Sequence, residues 1–218
     1  MKDRRGRWNF KRLSRVKNIV VIKKRMIYIS LAIAVTVMTY FGWKLTARSQ
    51  YESAEYTVLK SDGVFEIRQY STLMMVTTNM KLEAQGDDGS FMRLFRYISG
   101  ENEGDQKVAM TTPVFMQSDE GSLGGRMGFV IPRKVVENQI PEPSGNQVQI
   151  RERSAGRFAV ISFNGRLNSD SCAAAEERLR DWIKSRGLQG KIEVESAGYD
   201  PPWTPGPLRR NEVLIRLQ

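Results

Sequence analysis

The 218-residue sequence predicts an α+β domain of two similar halves, preceded by one membrane-spanning helix. Three observations lead there. Residues 26–43, MIYISLAIAVTVMTYFGW, run for eighteen positions without a charge and are bracketed by Lys23-Lys24-Arg25 and Lys44. From Tyr56 onward, runs with the alternation or β-branched content of strands give way twice to the i, i+3, i+4 spacing of an amphipathic helix. The order strand, strand, helix, strand, strand then runs through a second time, with Val148 standing 83 positions after Phe65.

The N-terminal region accounts for the whole charge excess. Residues 1–25 hold eleven Lys/Arg against one acid, Asp3, whereas residues 26–218 hold 23 of each sign. The basic pI therefore describes a tail and says nothing about the folded part. Beside an apolar run, such a tail fits the positive-inside rule and argues against a nucleic-acid partner. At 1.5 Å per residue the run makes a helix of about 27 Å, near the lower limit for crossing a bilayer. The expectation is a single-pass membrane protein in contact with the lipid bilayer through Met26–Trp43, with residues 1–25 as a cytoplasmic tail and the C-terminal domain extracytoplasmic. Tyr28, Tyr40 and Trp43 suit interfacial anchors. A cleaved signal peptide is the competing reading, but the charged region is long and Leu45-Thr46-Ala47 makes a poor cleavage site. Residues 44–55 are polar and without periodicity, a linker to the domain at 56–218.

The domain opens with strands Tyr56–Leu59 and Val64–Tyr70, broken at Asp62-Gly63, a strong turn dipeptide. Leu73–Thr78 follows as a third strand. After Gly86-Asp87-Asp88-Gly89 the period changes: Phe91, Leu94, Phe95 and Ile98 mark a short helix with Ser90 as N-cap and Gly100 at its end. Lys107–Met116 and Met127–Ile131 return to strand. Val148–Arg153 and Phe158–Phe163 echo the second and third strands, Cys172, Ala175, Leu179, Trp182 and Ile183 stripe a second helix closed by Gly187, and Ile192–Ser196 and Glu212–Leu217 complete the pattern. Two half-domains packed together are implied.

Chemistry is constrained by what is missing. The chain has no histidine, so a Ser/His/Asp triad is unavailable, and zinc spacing, a P-loop and a dinucleotide fingerprint are absent. Cys172, the single cysteine, excludes an intrachain disulfide. Its place on an apolar stripe favours a small buried residue over a thiolate ligand. Arg209-Arg210-Asn211-Glu212 reads as ion pairs fixing the last strand, and Pro113 as a bulge or strand edge.

Lys107-Val108-Ala109-Met110-Thr111-Thr112-Pro113-Val114 resembles the SOUL family of haem-binding proteins. The likeness extends in order through Tyr97-Ile98-Ser99-Gly100, Phe129-Val130-Ile131-Pro132, Val148–Glu152, the helix Ala173–Ile183, and Tyr199-Asp200-Pro201-Pro202-Trp203-Thr204 with Leu208–Val213. It covers Tyr56 to the C-terminus and leaves the apolar run outside. The resemblance implies a distorted antiparallel β-barrel flanked by two helices, with a pseudo-twofold repeat. It also implies a non-enzymatic protein that holds a haem or porphyrin in a mainly apolar groove beside the first helix, lined by Phe91, Leu94 and Phe95, with Arg96 as the basic position and Met110 nearby. A porphyrin offers a flat apolar face and two propionates, to which an aromatic stripe beside a guanidinium is a suitable counterpart. Without the family, the same stripe reads as an ordinary core face. Two departures stand out: an axial histidine is impossible, and Asp88 stands where some relatives carry a basic residue. Gly206-Pro207 also replace a bulky aromatic. A binding module for another amphipathic ligand or a protein partner is the second reading, and a hydrolase or tetrapyrrole-modifying enzyme using Glu101 or Glu103 the third.

Overall fold

The structure, a computed structural model, describes residues 23–40, 51–81, 88–118, 124–201 and 204–218. The basic tail up to residue 22, the end of the expected span at 41–43, the linker up to residue 50, Gly86-Asp87 and Pro202-Trp203 lie outside the described residues. The chain divides into two compact units, residues 1–47 and 48–218.

In the first unit, residues 23–40 form helix α1. The hydroxyls of Ser30, Thr36 and Thr39 donate to the carbonyls of Met26, Ala32 and Val35, each four residues back, at 2.8 to 2.9 Å. The described helix includes Lys23, Lys24 and Arg25, and its described uncharged part, residues 26–40, covers about 22 Å, against a hydrocarbon layer of about 30 Å. Among the described residues no helix is long and apolar enough to cross a membrane. This overturns the expected transmembrane helix, and with it the single-pass, extracytoplasmic placement of the domain and the bilayer contact that rested on it.

The second unit is α+β. Its strands are β1 (Glu52–Ser53), β2 (Tyr56–Asp62), β3 (Phe65–Tyr70), β4 (Leu73–Lys81), β5 (Thr111–Thr112), β6 (Val114–Ser118), β7 (Gly124–Val130), β8 (Gln149–Arg153), β9 (Gly156–Asn164), β10 (Gly190–Gly198) and β11 (Arg210–Leu217). The helices are α2 (Ser90–Ser99), α3 (Arg133–Asn138) and α4 (Ser169–Ser185). Strands β1 and β5 make a small parallel pair; the others form one nine-stranded sheet in the order β2-β3-β9-β11-β10-β6-β7-β4-β8, antiparallel throughout.

That order carries the expected repeat. Exchanging β3 with β8, β4 with β9, β6 with β10 and β7 with β11 reverses the list from β3 to β8 and leaves it unchanged. The halves meet where β6 pairs with β10, and each also sends the first strand of its repeated set, β3 or β8, into the other: β3 pairs with β9, and β8 with β4.

The expected barrel is not closed. Strands β2 and β8 end the sheet without a ladder between them. The sheet nevertheless bends strongly, as its connections require. Only Ser154 and Ala155 separate β8 from β9, a path of about 11 Å at full stretch, although five strands stand between them in the sheet. Ser71 and Thr72 make the same short step between β3 and β4.

Because strand side chains alternate between faces, the bent sheet sorts its residues into an inner and an outer set. Inside, Tyr70, Met75, Phe115, Phe158 and Leu214 share one cluster drawn from both halves. Outside, Val76, Met80, Met127 and Phe129 meet Leu94, Tyr97 and Ile98 of α2. Ala159, Ile161, Val213 and Ile215 meet Ala175, Leu179, Trp182 and Ile183 of α4. The Arg209–Glu212 signature ties the strands across the sheet, as its charges suggested. Buried Glu212 accepts from Arg68 Nη1 and Nη2 (2.8 and 3.0 Å), Tyr199 Oη (2.7 Å), Arg210 Nη2 (2.7 Å) and Ser162 Oγ (3.1 Å).

Candidate ligand-binding site

Helix α2 is short, and its ends are set by local chemistry. Asp88, rather than Ser90, secures its start: the carboxylate accepts from the Ser90 N–H (3.0 Å) and the Lys81 N–H (2.8 Å), while Ser90 itself is fully buried. Burial pushes the Asp88 carboxyl up, but those hydrogen bonds and the nearby Arg93 charge outweigh it and hold the group below the usual carboxylate range. Gly100 closes the helix at φ 118°, its N–H donating to the Tyr97 carbonyl and that of Glu101 to the Arg96 carbonyl.

The five expected site residues do not share one surface. Leu94 is fully buried in the core beneath α2, so it supports the helix from below. Phe91 is half-buried, its ring edge-on to Phe129 at 5.3 Å and nearly parallel to Phe95 at 6.1 Å. Phe95 is 43% exposed and Met92, which the stripe did not single out, is 52% exposed. Arg96 lies about 100° around the helix from Phe95. It points to a different flank, where it pairs with Glu101 at 3.6 Å and lines a cavity of about 280 Å³ together with Arg93, Tyr97 and the 143–148 loop. Met110 is half-buried and packs on the core cluster that holds Leu94. The helix thus presents a ring pair on one flank, two guanidiniums on the other, and Met92 on the crest between them.

Arg93 is the basic residue that periodicity did not reveal. It donates to Thr78 Oγ1 (3.0 Å), the Asp88 carbonyl (3.2 Å) and the Asn79 carbonyl (2.6 Å), which anchors α2 to β4. Tyr97 donates its hydroxyl to the Pro141 carbonyl at 2.7 Å, and burial, with the Glu142 charge, pushes its pKa up to about 12. It therefore remains a neutral phenol. Cys172 is half-buried against the α4 core and burial pushes its thiol up, in keeping with a packing role. Among the described residues no group of three or more His, Cys, Asp or Glu is placed to hold a metal ion. Glu101 and Glu103 are exposed, and Glu101 has Arg96 as its partner.

Residues 51–216 match the model of the SOUL heme-binding protein family. Heme-binding protein 1 of Bos taurus is 29% identical over 128 residues, covering 56% of this chain and 66% of its own. The chain thus spans just under two thirds of that relative. Heme-binding protein 2 of Homo sapiens is 30% identical over 155 residues, covering 64% and 72%. Among solved structures, the EcmrR C-terminal domain superposes with a TM-score of 0.53 at 11% identity, over 75% of this chain and 98% of its own. A hydrolase from Listeria innocua superposes at 0.52 and 8% identity, over 73% and 94%. At such identities these two report shared fold alone.

Proposed function

Since the chain belongs to the SOUL haem-binding family, we propose that it is a non-enzymatic haem or tetrapyrrole binder whose ligand lies across the outer face of α2. The observation that carries this reading is the exposure of Phe95 and Met92, apolar side chains left in solvent on the helix that the family uses. A residue serving only the core would be covered, as Leu94 is. The rings of Phe91 and Phe95 and the Met92 side chain offer apolar contact to a macrocycle. Arg96, on the next flank, offers a charge to a propionate. Leu94 and Met110 hold this surface from below. The relatives' names, heme-binding proteins 1 and 2, favour binding over catalysis.

Bound haem would bring its own iron and its own redox and ligand chemistry. The chain has no histidine and the Tyr97 hydroxyl is committed to Pro141, so this helix would hold the macrocycle through apolar contact with Phe91, Met92 and Phe95 and the charge of Arg96. Affinity then depends little on the metal. Titration of the full chain with haem and with metal-free protoporphyrin, followed by the Soret band, is expected to give saturable binding of both at similar strength. Phe95→Ala and Arg96→Ala should each weaken both by about tenfold, a loss of roughly 1.4 kcal/mol. Neither variant disturbs a buried group, so a fall in affinity reports the site and not the fold. Absence of saturable binding to either ligand would exclude this reading and favour another amphipathic ligand or a protein partner for the same face.

A further inference from the structure

A second candidate site lies inside the bent sheet, on the face turned away from α2. A cleft of about 330 Å³, at the small end of the range for ligand pockets, is lined by residues of β4, β6, β7, β8, β9, β10 and β11. Its lining includes Met75 and Gly128, whose neighbours Val76 and Phe129 point outward into the core beneath α2. By strand alternation the two sites are on opposite faces.

The cleft has an apolar floor of Met75, Phe115 and Phe158. Arg153 lies among these residues, 8% exposed, with its guanidinium carbon 4.2, 4.7 and 4.8 Å from the ring centroids of Phe158, Tyr70 and Phe115. Nε and Nη2 both donate to Glu195 Oε2, at 2.9 and 2.7 Å. Nη1 is buried without a hydrogen-bond partner, one of two such side-chain atoms among the described residues. Ring faces stabilise the charge but offer no lone pair equal to a carboxylate oxygen. A buried donor left unmade is a deficit that an incoming acceptor removes. The remaining lining charges favour an anion: beyond Arg153 and Glu195, four Lys/Arg residues stand against two glutamates.

We propose that this cleft binds a small amphipathic carboxylate. The carboxylate accepts from Arg153 Nη1, and the apolar body lies on Met75, Phe115 and Phe158. The planar guanidinium fork suits a planar carboxylate, and Glu195 holds the fork by its other two nitrogens while partly competing with the ligand's charge.

Isothermal titration of the full chain with octanoate, 1-octanol and octyltrimethylammonium tests this, since the three share a tail and differ in headgroup charge. One saturable octanoate site is expected, with octanol about tenfold weaker and the ammonium ligand not bound. Glu195→Gln should tighten octanoate about fivefold by removing the competing charge, and Arg153→Met in that background should reduce it to the octanol level. Phe95→Ala should leave octanoate binding unchanged, which separates failure here from failure of the tetrapyrrole reading. If the double variant does not fold, the Glu195→Gln variant decides alone. Preference for the ammonium ligand, equal affinity for octanol, absence of binding, or no tightening in Glu195→Gln would each overturn the proposal.

Discussion

Glu212 shows how one side chain organises its surroundings. Its carboxylate is fully buried and receives hydrogen bonds from Arg68, Arg210, Tyr199 and Ser162. Burial alone would raise its pKa, but these bonds and the charge of Arg68 lower it below the usual glutamate value. A lowered folded pKa means that the unfolded chain takes up the proton first on acidification. Its contribution is present above the ordinary glutamate pKa, about 4.3, and is lost as pH falls from there through the lower folded value. Urea unfolding as a function of pH should show this decline, and Glu212→Gln should flatten it. Glu212→Ala leaves the Arg68 guanidinium buried without its main counter-ion and should cost about 3 to 5 kcal/mol. Gly156 is constrained differently: a Cβ there would lie 2.0 Å from Arg216 Nη1. Gly156→Ala should displace Arg216 from the carbonyls of Ser154 and Ala155, costing about 1 to 2 kcal/mol in the same measurement. These roles were unevenly legible. Glu212 sat in a charged signature that suggested ion pairing, whereas Arg153 looked like one more polar residue in an alternating strand. Its burial comes from β9 and β6 packing over it, which no local pattern encodes.

At the scale of elements, the helix stripes were readable because 3.6-residue periodicity is a local property. Which part of a stripe is buried was not. Leu94 and Phe95 are adjacent in sequence, and the sheet residues beneath α2 cover one and leave the other exposed. Helix α3, six residues long without a buried face, gave no periodic signal. The α4 cap was also missed: Asn168 Oδ1 accepts from the Ser171 N–H at 2.8 Å, and Ser171 Oγ accepts from the Asn168 N–H at 3.0 Å. Asn168→Ala should lower stability by about 1 kcal/mol, measurable as a reduced urea midpoint with unchanged slope. The apolar run around α1 is the opposite lesson. Eighteen uncharged residues suggested a span, but the described helix carries Lys23, Lys24 and Arg25 beside residues 26–40, and no described helix is long and apolar enough to cross a membrane.

For the molecule as a whole, the pairing of β3 with β9 and of β8 with β4 makes each half incomplete alone. Far-UV circular dichroism and Trp182 fluorescence should therefore report one coincident urea transition for the domain. A chain ending before β8 should show none. The doubled element order was legible because each half repeats its own local pattern. Closure was not, since it depends on whether β2 and β8 meet, and they stand at the two ends of the sheet.

The interlocked halves also bear on concentration. Two separate half-length chains trading their first strands would make the same set of pairings, but only as a dimer, whose population falls on dilution. Joined end to end, the halves meet at an effective concentration set by the short chain between them rather than by the solution. The assembly is thereby converted into a unimolecular fold that persists at any dilution.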